Sequence, residues 1–263
     1  MGPDRVAAAS WTATGTAETY ERGRPDYAAS AVDFILAPLR GRPGLRALDL
    51  GAGTGKLTRL FTDRGVDTVA VEPAGGMREV LARAVPAAAV LPGSAEAIPV
   101  PDSSLDLVVA GQAFHWFDRE LALPEIARVL RPGGVLGILY NARDDRVAWV
   151  RALSELIGET ADHASVTAHY VPPDLGPLFG PAELHRTPHE QPMDAGLLVD
   201  MVASRSYAIG MAPADRDRLL AQVAELARTH PALVGRQHFS MPYVTTAERH
   251  RLVDAAAGQE LRS

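Results

Sequence analysis

Apolar positions along this chain fall into two rhythms that alternate. Short apolar runs, such as Ala47-Leu48-Asp49-Leu50 and Val69-Ala70-Val71, are each followed by stripes at helical spacing, the first being Leu57, Leu60 and Phe61. Runs of about four to eight residues bounded by turn signals read as buried strands, and i, i+3, i+4 stripes read as helices. The pattern predicts strands over 46–50, 68–72, 88–92, 105–110 and 135–140, and helices starting near 55, 76 and 119. The connection between the third and fourth strands reads as short or irregular. An earlier helix covers Ala31 to Leu36, and the helix carrying Leu123, Ile126, Val129 and Leu130 meets a stop signal at Arg131-Pro132-Gly133-Gly134. Strand–helix alternation of this kind predicts an α/β fold, a doubly wound parallel sheet with helices on both faces joined by right-handed crossovers.

Past Asn141 the rhythm changes. A helix with Val147, Val150, Leu153 and Ile157 leads into a Pro/Gly-rich stretch from Tyr170 to Pro181, then a strand near 183–192. Two further helices carry Leu197, Leu198, Met201 and Val202, and Leu219, Leu220, Val223 and Leu226; a last strand runs from Phe239 to Thr245. Helices inserted between the sixth and seventh strands are expected above the carboxyl ends of the sheet, where open α/β sheets bind ligands, as a substrate lid. The expected organisation is a single domain: a loose tail over 1–16, a lead-in and core over 17–141, and the remaining core elements with the lid over 142–263. Residues 17–27 read as a lead-in that is not a core element.

Bulk properties narrow the function. With 263 residues, 47% hydrophobic and 22% charged, the chain has the composition of a globular domain with a sizeable core. A net charge of −6 and the lack of a basic run interleaved with aromatics argue against nucleic acid as partner. The absence of cysteine removes disulfides, thiolate metal sites and a cysteine nucleophile. Met1 to Val6 lack an apolar signal core, Val6 stands where a myristoylation signal places Ser or Thr, and no apolar stretch approaches membrane-spanning length. The expected setting is the cytoplasm with no membrane partner. Oligomeric state is left open.

The candidate chemistry begins where the first strand ends. Asp49-Leu50-Gly51-Ala52-Gly53-Thr54-Gly55 is a strand end, a tight turn and a helix start, whose glycines let the backbone approach a ligand and whose helix N-terminus offers free N–H groups. A dinucleotide fingerprint would need its third glycine where Lys56 stands, and a P-loop would need Gly in place of Leu50 and Ser or Thr in place of Leu57. Both phosphate motifs fail. Asp49 faces the turn and can accept from a cationic amine. Glu72, about twenty residues past the first glycine, stands where adenosine-binding α/β folds accept from ribose hydroxyls. Gln112-Ala113-Phe114-His115-Trp116-Phe117 leaves the fourth strand with three aromatics whose faces can surround a cation, and His115 is the candidate base. His185 and His189 are four apart but flank Pro188 in a strand-like segment, so no metal is expected. Arg143-Asp144-Asp145-Arg146 reads as a solvated helix start.

These segments together resemble the class I S-adenosylmethionine (SAM) methyltransferases, in the small-molecule branch near the ubiquinone-biosynthesis and trans-aconitate types. The resemblance rests on Leu48 to Gly55, Val71-Glu72-Pro73, Gly93-Ser94-Ala95-Glu96, Gln112 to Phe117, Leu130 to Gly134, the lead-in Tyr20 to Tyr27 and Val202 to Tyr207. It implies a Rossmann-like, seven-stranded methyltransferase sheet with a helical lid insertion and methyl transfer from SAM, with S-adenosylhomocysteine as product, to a small-molecule substrate. It further implies cofactor contacts from Asp49, Gly51, Ala52, Gly53, Gly55, Glu72, Pro73 and Gln112, adenine contacts from Ala95 and Glu96, and a lead-in that folds over the cofactor with Tyr20 and Arg24. Tyr27, Trp116, Arg205 and Tyr207 are the expected substrate residues. One departure matters: Gln112-Ala113-Phe114-His115 replaces the Asn-Pro-Pro-Tyr signature of enzymes that methylate planar amino nitrogens, which leaves a hydroxyl or carboxylate oxygen favoured. SAM binding without transfer, or a SAM-assisted reaction other than methylation, are the rival expectations.

Overall fold

A computed structural model describes residues 14–158 and 171–253. Its elements are α1 Thr14–Gly23, α2 Ala29–Leu36, β1 Arg46–Leu50, α3 Lys56–Thr62, β2 Asp67–Val71, α4 Gly75–Ala84 and β3 Ala89–Leu91. Then follow β4 Leu105–Gly111, α5 Arg119–Val129, β5 Leu130–Arg143, α6 Ala148–Leu156, β6 Glu183–Met193, α7 Ala195–Ala203, α8 Ser206–Ile209, α9 Pro213–Thr229 and β7 Phe239–Arg251. They build one seven-stranded sheet of order β3-β2-β1-β4-β5-β7-β6. The first five strands are parallel, and β7 runs antiparallel to both β5 and β6.

Strand alternation puts the two helical layers on opposite faces. Leu48, Leu50, Val69, Val71, Val108, Ala110, Leu136 and Ile138 face α5, where Ala122, Ile126 and Val129 pack on them. Their sequence neighbours Ala47, Leu107, Val109, Val135 and Leu139 face α2 and α3, against Ala31, Val32, Ile35, Leu57 and Phe61. Each fully buried Leu, Ile or Val contributes about 1.5–3 kcal/mol, so these two layers carry the stability of the core. β6 is an edge strand and holds Pro188 and Pro192, which deny a further strand its hydrogen bonds.

A separate apolar cluster covers the carboxyl end of the sheet. Trp149, Val150 and Leu153 of α6, Leu198, Met201 and Val202 of α7, and Val223 of α9 close on Met193, Met241 and Tyr243, which stand at the β6–β7 end level with Arg143, the last residue of β5. α7, α8 and α9 form the insertion between β6 and β7, while α6, between β5 and β6, joins the same cluster.

Four sequence expectations change. The tail boundary at 16 falls inside α1, and the lead-in carries core: Ala17 is fully buried and shares a cluster with Met77 and Val80 of α4. β5 starts at Leu130, not 135, because Leu130 already pairs with Leu105, and Arg131 to Gly134 bulge out, with Gly133 at φ 67°, before pairing resumes at Leu107–Val135. β7 continues six residues past Thr245 to Arg251, its buried face carrying Thr246, Glu248 and His250 where an apolar pattern would have announced a strand. Arg143 and Asp144 are buried, and α6 begins only at Ala148, so this segment is not a solvated helix start.

Candidate active site

β1 stops at Leu50 because Gly51 turns the chain with φ 71°, and the N–H groups of Gly51 and Ala52 donate to the Val71 carbonyl at 2.8 and 3.1 Å. A side chain at Gly51 would place its Cβ 2.7 Å from the Ala113 Cβ, so the turn requires glycine on both counts. Beyond the turn opens a cleft that encloses about 550 Å³ when the open solvent at its mouth is counted. Its walls are the glycine turn with Asp49, Thr54 and Lys56; the α1–α2 strap with Tyr20, Arg24, Pro25 and Tyr27; the ends of β4 and β5 with Gly111, Gln112 and Asn141; and, from the lid side, Arg205 and Tyr243.

Asp49 is 1% exposed. Its Oδ2 accepts from the Thr58 hydroxyl at 2.6 Å, and its Oδ1 is buried without a hydrogen-bond partner. Burial raises its pKa to about 7, the Thr58 hydrogen bond works against that rise, and the nearby Glu72 charge adds to it. A buried carboxylate oxygen with nothing to accept from is costly in itself, and its natural complement is a cationic donor. That orphaned atom, beside backbone held open by glycine, fits the ammonium of an amino-acid tail.

Glu72 is held by the same turn. Its Oε2 accepts from the Gly53 N–H at 2.9 Å and its Oε1 from the Ala74 N–H at 2.8 Å, while burial raises its pKa. Arg78 donates to the Glu72 and Pro73 carbonyls at 2.9 and 2.7 Å, which fixes the entry to α4. Gln112 adopts φ 55°, unusual for a residue with a side chain, and its amide nitrogen donates to the Asn141 carbonyl at 2.7 Å. The strap is tied to the glycine turn through Glu21, which accepts from the Thr54 hydroxyl at 2.5 Å and from Arg59 at 2.9 Å, and through Lys56 with Asp26 at 3.1 Å. It reaches the lid through Arg22 with Asp200 at 3.4 Å and Arg24 with the Ser204 carbonyl at 3.4 Å. The Arg24 guanidinium also lies 4.7 Å from the centre of the Tyr20 ring. The Tyr27 hydroxyl sits on Gly111, where a Cβ would come within 2.5 Å of it, and burial lifts its pKa well above the ordinary value.

Of the expected residues, Asp49, Gly51, Ala52, Gly53, Gln112, Tyr20, Arg24, Tyr27 and Arg205 line this one cleft. Gly55, Glu72, Pro73, Ala95, Glu96, His115, Trp116 and Tyr207 are not among its lining residues. Gly55 caps α3 with φ 90°, Ala95 is buried, and Glu96 accepts from the Asp118 N–H at 3.0 Å. His115 is exposed on a short 3₁₀ turn, its ring 5.1 Å from Trp116 and 6.4 Å from Tyr140. Tyr207 packs against the lid cluster. Pro25, Thr54, Lys56, Leu57, Gly111, Asn141 and Tyr243 complete the lining without having been singled out in the sequence. Asn141 carries a findable signal, since it follows the strand expected over 135–140, next to the one leading to Gln112; Tyr243 carries none. Among the described residues no group of three His, Asp or Glu could hold a metal, and no helix is long and apolar enough to cross a membrane.

Comparison with known proteins bears on this site. A methyltransferase-domain family model matches residues 48–138, from the glycine turn to β5. An uncharacterized methyltransferase of Mycobacterium tuberculosis is 44% identical over 233 residues, spanning 89% of this chain and 92% of that protein. A malonyl-[acyl-carrier protein] O-methyltransferase of Methylococcus capsulatus is 41% identical over 112 residues, 40% of this chain and 41% of that protein. Among solved structures, a candidate type II methyltransferase from Anaeromyxobacter dehalogenans shares the fold with a TM-score of 0.56 at 23% identity, over 87% of this chain and 96% of that one. With a glycine turn that fits an amino-acid tail, a seven-stranded sheet of this order and a near full-length relative of that kind, the chain belongs to the class I SAM-dependent methyltransferases.

Proposed function

We propose that this enzyme transfers the methyl group of SAM to an oxygen atom of a small organic acceptor held in the cleft between the glycine turn and the lid. The observation that carries the reading is Asp49 Oδ1, a buried acceptor without a partner on the cleft wall. SAM supplies an electrophilic methyl on a sulfonium, so the protein's task is alignment and exclusion of water. Asp49 would take the ammonium of the methionine tail, Gly51, Ala52 and Gly53 would let that tail lie on the backbone, and Arg24 beside Tyr20 would take its carboxylate. Glu72, with both oxygens already oriented by backbone donors, would use its remaining lone pairs on the ribose, with Pro73, Ala95 and Glu96 toward the adenine. Gln112 and Gly55 hold the turn ends around the same ligand. Arg205, Tyr27 and Tyr243 are left for the acceptor.

An oxygen acceptor is supported by Gln112-Ala113-Phe114-His115 in place of the amino-nitrogen signature and by the partial match to an O-methyltransferase. Between the two oxygen types, the position of His115 favours a carboxylate. A hydroxyl needs a base within hydrogen-bond reach, and His115 is exposed outside the cleft lining; a carboxylate is already anionic at neutral pH. The test is incubation with methyl-labelled SAM and a panel of small carboxylic and hydroxy acids, followed by mass spectrometry. A labelled methyl ester that mild base removes is expected. Tight S-adenosylhomocysteine binding with no methylated product from any member, or label found only on nitrogen or carbon, would overturn the reading.

A further inference from the structure

The strap that covers the cleft is held from behind by a polar row that no catalytic assignment uses. Asn141 of β5 and Thr245 of β7 are directly paired, and His189 of β6, paired with Tyr243, reaches Thr245 on the diagonal. The His189 Nε2 is 3.0 Å from the Asp26 carbonyl, a group that can only accept, so this nitrogen carries a proton and donates it. Its Nδ1 stands 3.3 Å from the Thr245 Oγ1. The Asn141 amide nitrogen donates to the same Asp26 carbonyl at 3.0 Å, which turns its Oδ1 toward Thr245, whose hydroxyl donates to it at 2.6 Å. Thr245 Oγ1 in turn accepts the Ala28 N–H at 3.2 Å.

The effect is to clamp the backbone on both sides of Tyr27. The carbonyl before it and the N–H after it are each fixed to the sheet, and Tyr27 is the residue whose hydroxyl seats on Gly111 at the cleft wall. The clamp meets the site at two places. Asn141 lines the cleft and its carbonyl receives the Gln112 side chain, and Tyr243, also in the lining, stacks on the His189 ring with centroids 5.6 Å apart and planes 23° off parallel. His189 itself is only half-buried and does not line the cleft.

We propose that His189 is a positioning residue: by donating to the Asp26 carbonyl it latches the strap, and so sets Tyr27 and the cleft wall for the ligand. The proposal rests on the reading of the cleft as the cofactor site only for its effect on affinity; the latch itself is a statement about the ligand-free protein. It explains why a histidine stands on an edge strand opposite a residue 163 positions earlier in the chain.

The experiment pairs two substitutions that separate hydrogen bonding from packing. His189→Phe keeps a ring on Tyr243 and removes both nitrogens, whereas His189→Gln loses the ring and keeps an N–H donor at the ε position. Hydrogen exchange of the Asp26, Tyr27 and Ala28 amides is followed in the ligand-free proteins, and S-adenosylhomocysteine is titrated calorimetrically into each. The latch predicts that His189→Phe exchanges these amides about tenfold faster and binds the probe about tenfold more weakly, as loss of one hydrogen bond implies, and that His189→Gln restores most of both. Unchanged exchange in His189→Phe, or a Gln variant as loose as the Phe variant, would overturn it. Should His189→Phe fail to fold, Thr245→Val removes the neighbouring link of the row and must loosen the Ala28 amide in the same way. If the wild type does not bind S-adenosylhomocysteine, the cofactor reading falls and the exchange data alone decide the latch.

Discussion

The two sides of the cleft are built on opposite principles. On the glycine-turn side, Asp49, Gly51, Gly53 and Glu72 lie within 24 residues of one another, and backbone geometry places them: one strand end, one turn, and a carboxylate pinned by two N–H groups. On the lid side, Tyr20 and Arg24 meet Ser204, Arg205 and Tyr243 only through tertiary packing, with Arg24 bonded to a carbonyl 180 residues away. A ligand therefore meets one wall that is rigid by local construction and one that depends on the docking of separate segments. The rigid wall should decide whether cofactor binds at all. The assembled wall should decide how tightly, and what accompanies it.

The comparison breaks most severely at Gly53. Its φ of 57° and the open space around its would-be Cβ mean that Gly53→Val costs about 1–3 kcal/mol in backbone strain yet leaves the packing intact, while the new side chain projects into the space a ligand would use. Circular dichroism should show a folded protein, and calorimetry should show no S-adenosylhomocysteine binding. On the other wall, Met201→Ala hollows the lid cluster, where Met201 is fully buried and its sulfur lies 3.2 Å from the Tyr243 hydroxyl. The loss should be about 2–5 kcal/mol, read as faster exchange confined to α6, α7 and α9, with the glycine-turn amides unchanged. Equal loosening on both sides would mean that the walls form one cooperative unit.

Smaller effects sharpen the division. Arg24→Ala removes a charged donor from the cleft and should weaken S-adenosylhomocysteine by roughly 10–100-fold, the usual worth of a hydrogen bond to a charged group. Arg24→Lys should recover only part of it, because a point charge cannot reproduce the guanidinium fork. Glu21→Gln weakens the tie to Arg59 and Lys56 but keeps an acceptor for Thr54; its ion pairs are partly solvated, so affinity should fall by no more than about threefold. A loss as large as that of Arg24→Ala would move the strap onto the rigid wall.

The same division explains what could be read without coordinates. The sheet, the glycine turn and the candidate roles of Asp49 and Glu72 were visible because each is announced by neighbours in sequence: an apolar run, an acid, glycines at fixed spacing. The start of β5 at Leu130 was hidden because Pro132-Gly133-Gly134 carries the chemistry of a turn and here bulges within a strand. The far half of β7 was hidden because Glu248 and His250, bonded to each other at 3.3 Å inside the fold, read as surface. Tyr243 reaches the cleft by strand pairing with Arg143 about a hundred residues earlier, and the α1 core contact of Ala17 with Met77 depends on docking between segments; no local pattern encodes either. The prominence of His115 came from its aromatic company, which the structure resolves as packing of Phe114 and Phe117 in the core with His115 outside.

The central claim is that the Asp49 carboxylate receives the ammonium of the cofactor, and its raised pKa gives that claim a signature. Because the folded protein holds the Asp49 proton more tightly than the unfolded chain, this group stabilises the ligand-free fold most below about pH 4, and the contribution is lost as pH rises to about 7. Ligand binding runs the other way, since only the ionised carboxylate can take the ammonium. S-adenosylhomocysteine should therefore bind up to about tenfold more weakly near pH 6 than near pH 7.5, with a proton released on binding at the lower pH that calorimetry in buffers of different ionisation enthalpy detects. Asp49→Asn should bind weakly at both pH values, with no proton release. Wild-type binding that is tight and flat across this range, or an Asp49→Asn protein that binds as the wild type does, would contradict the account.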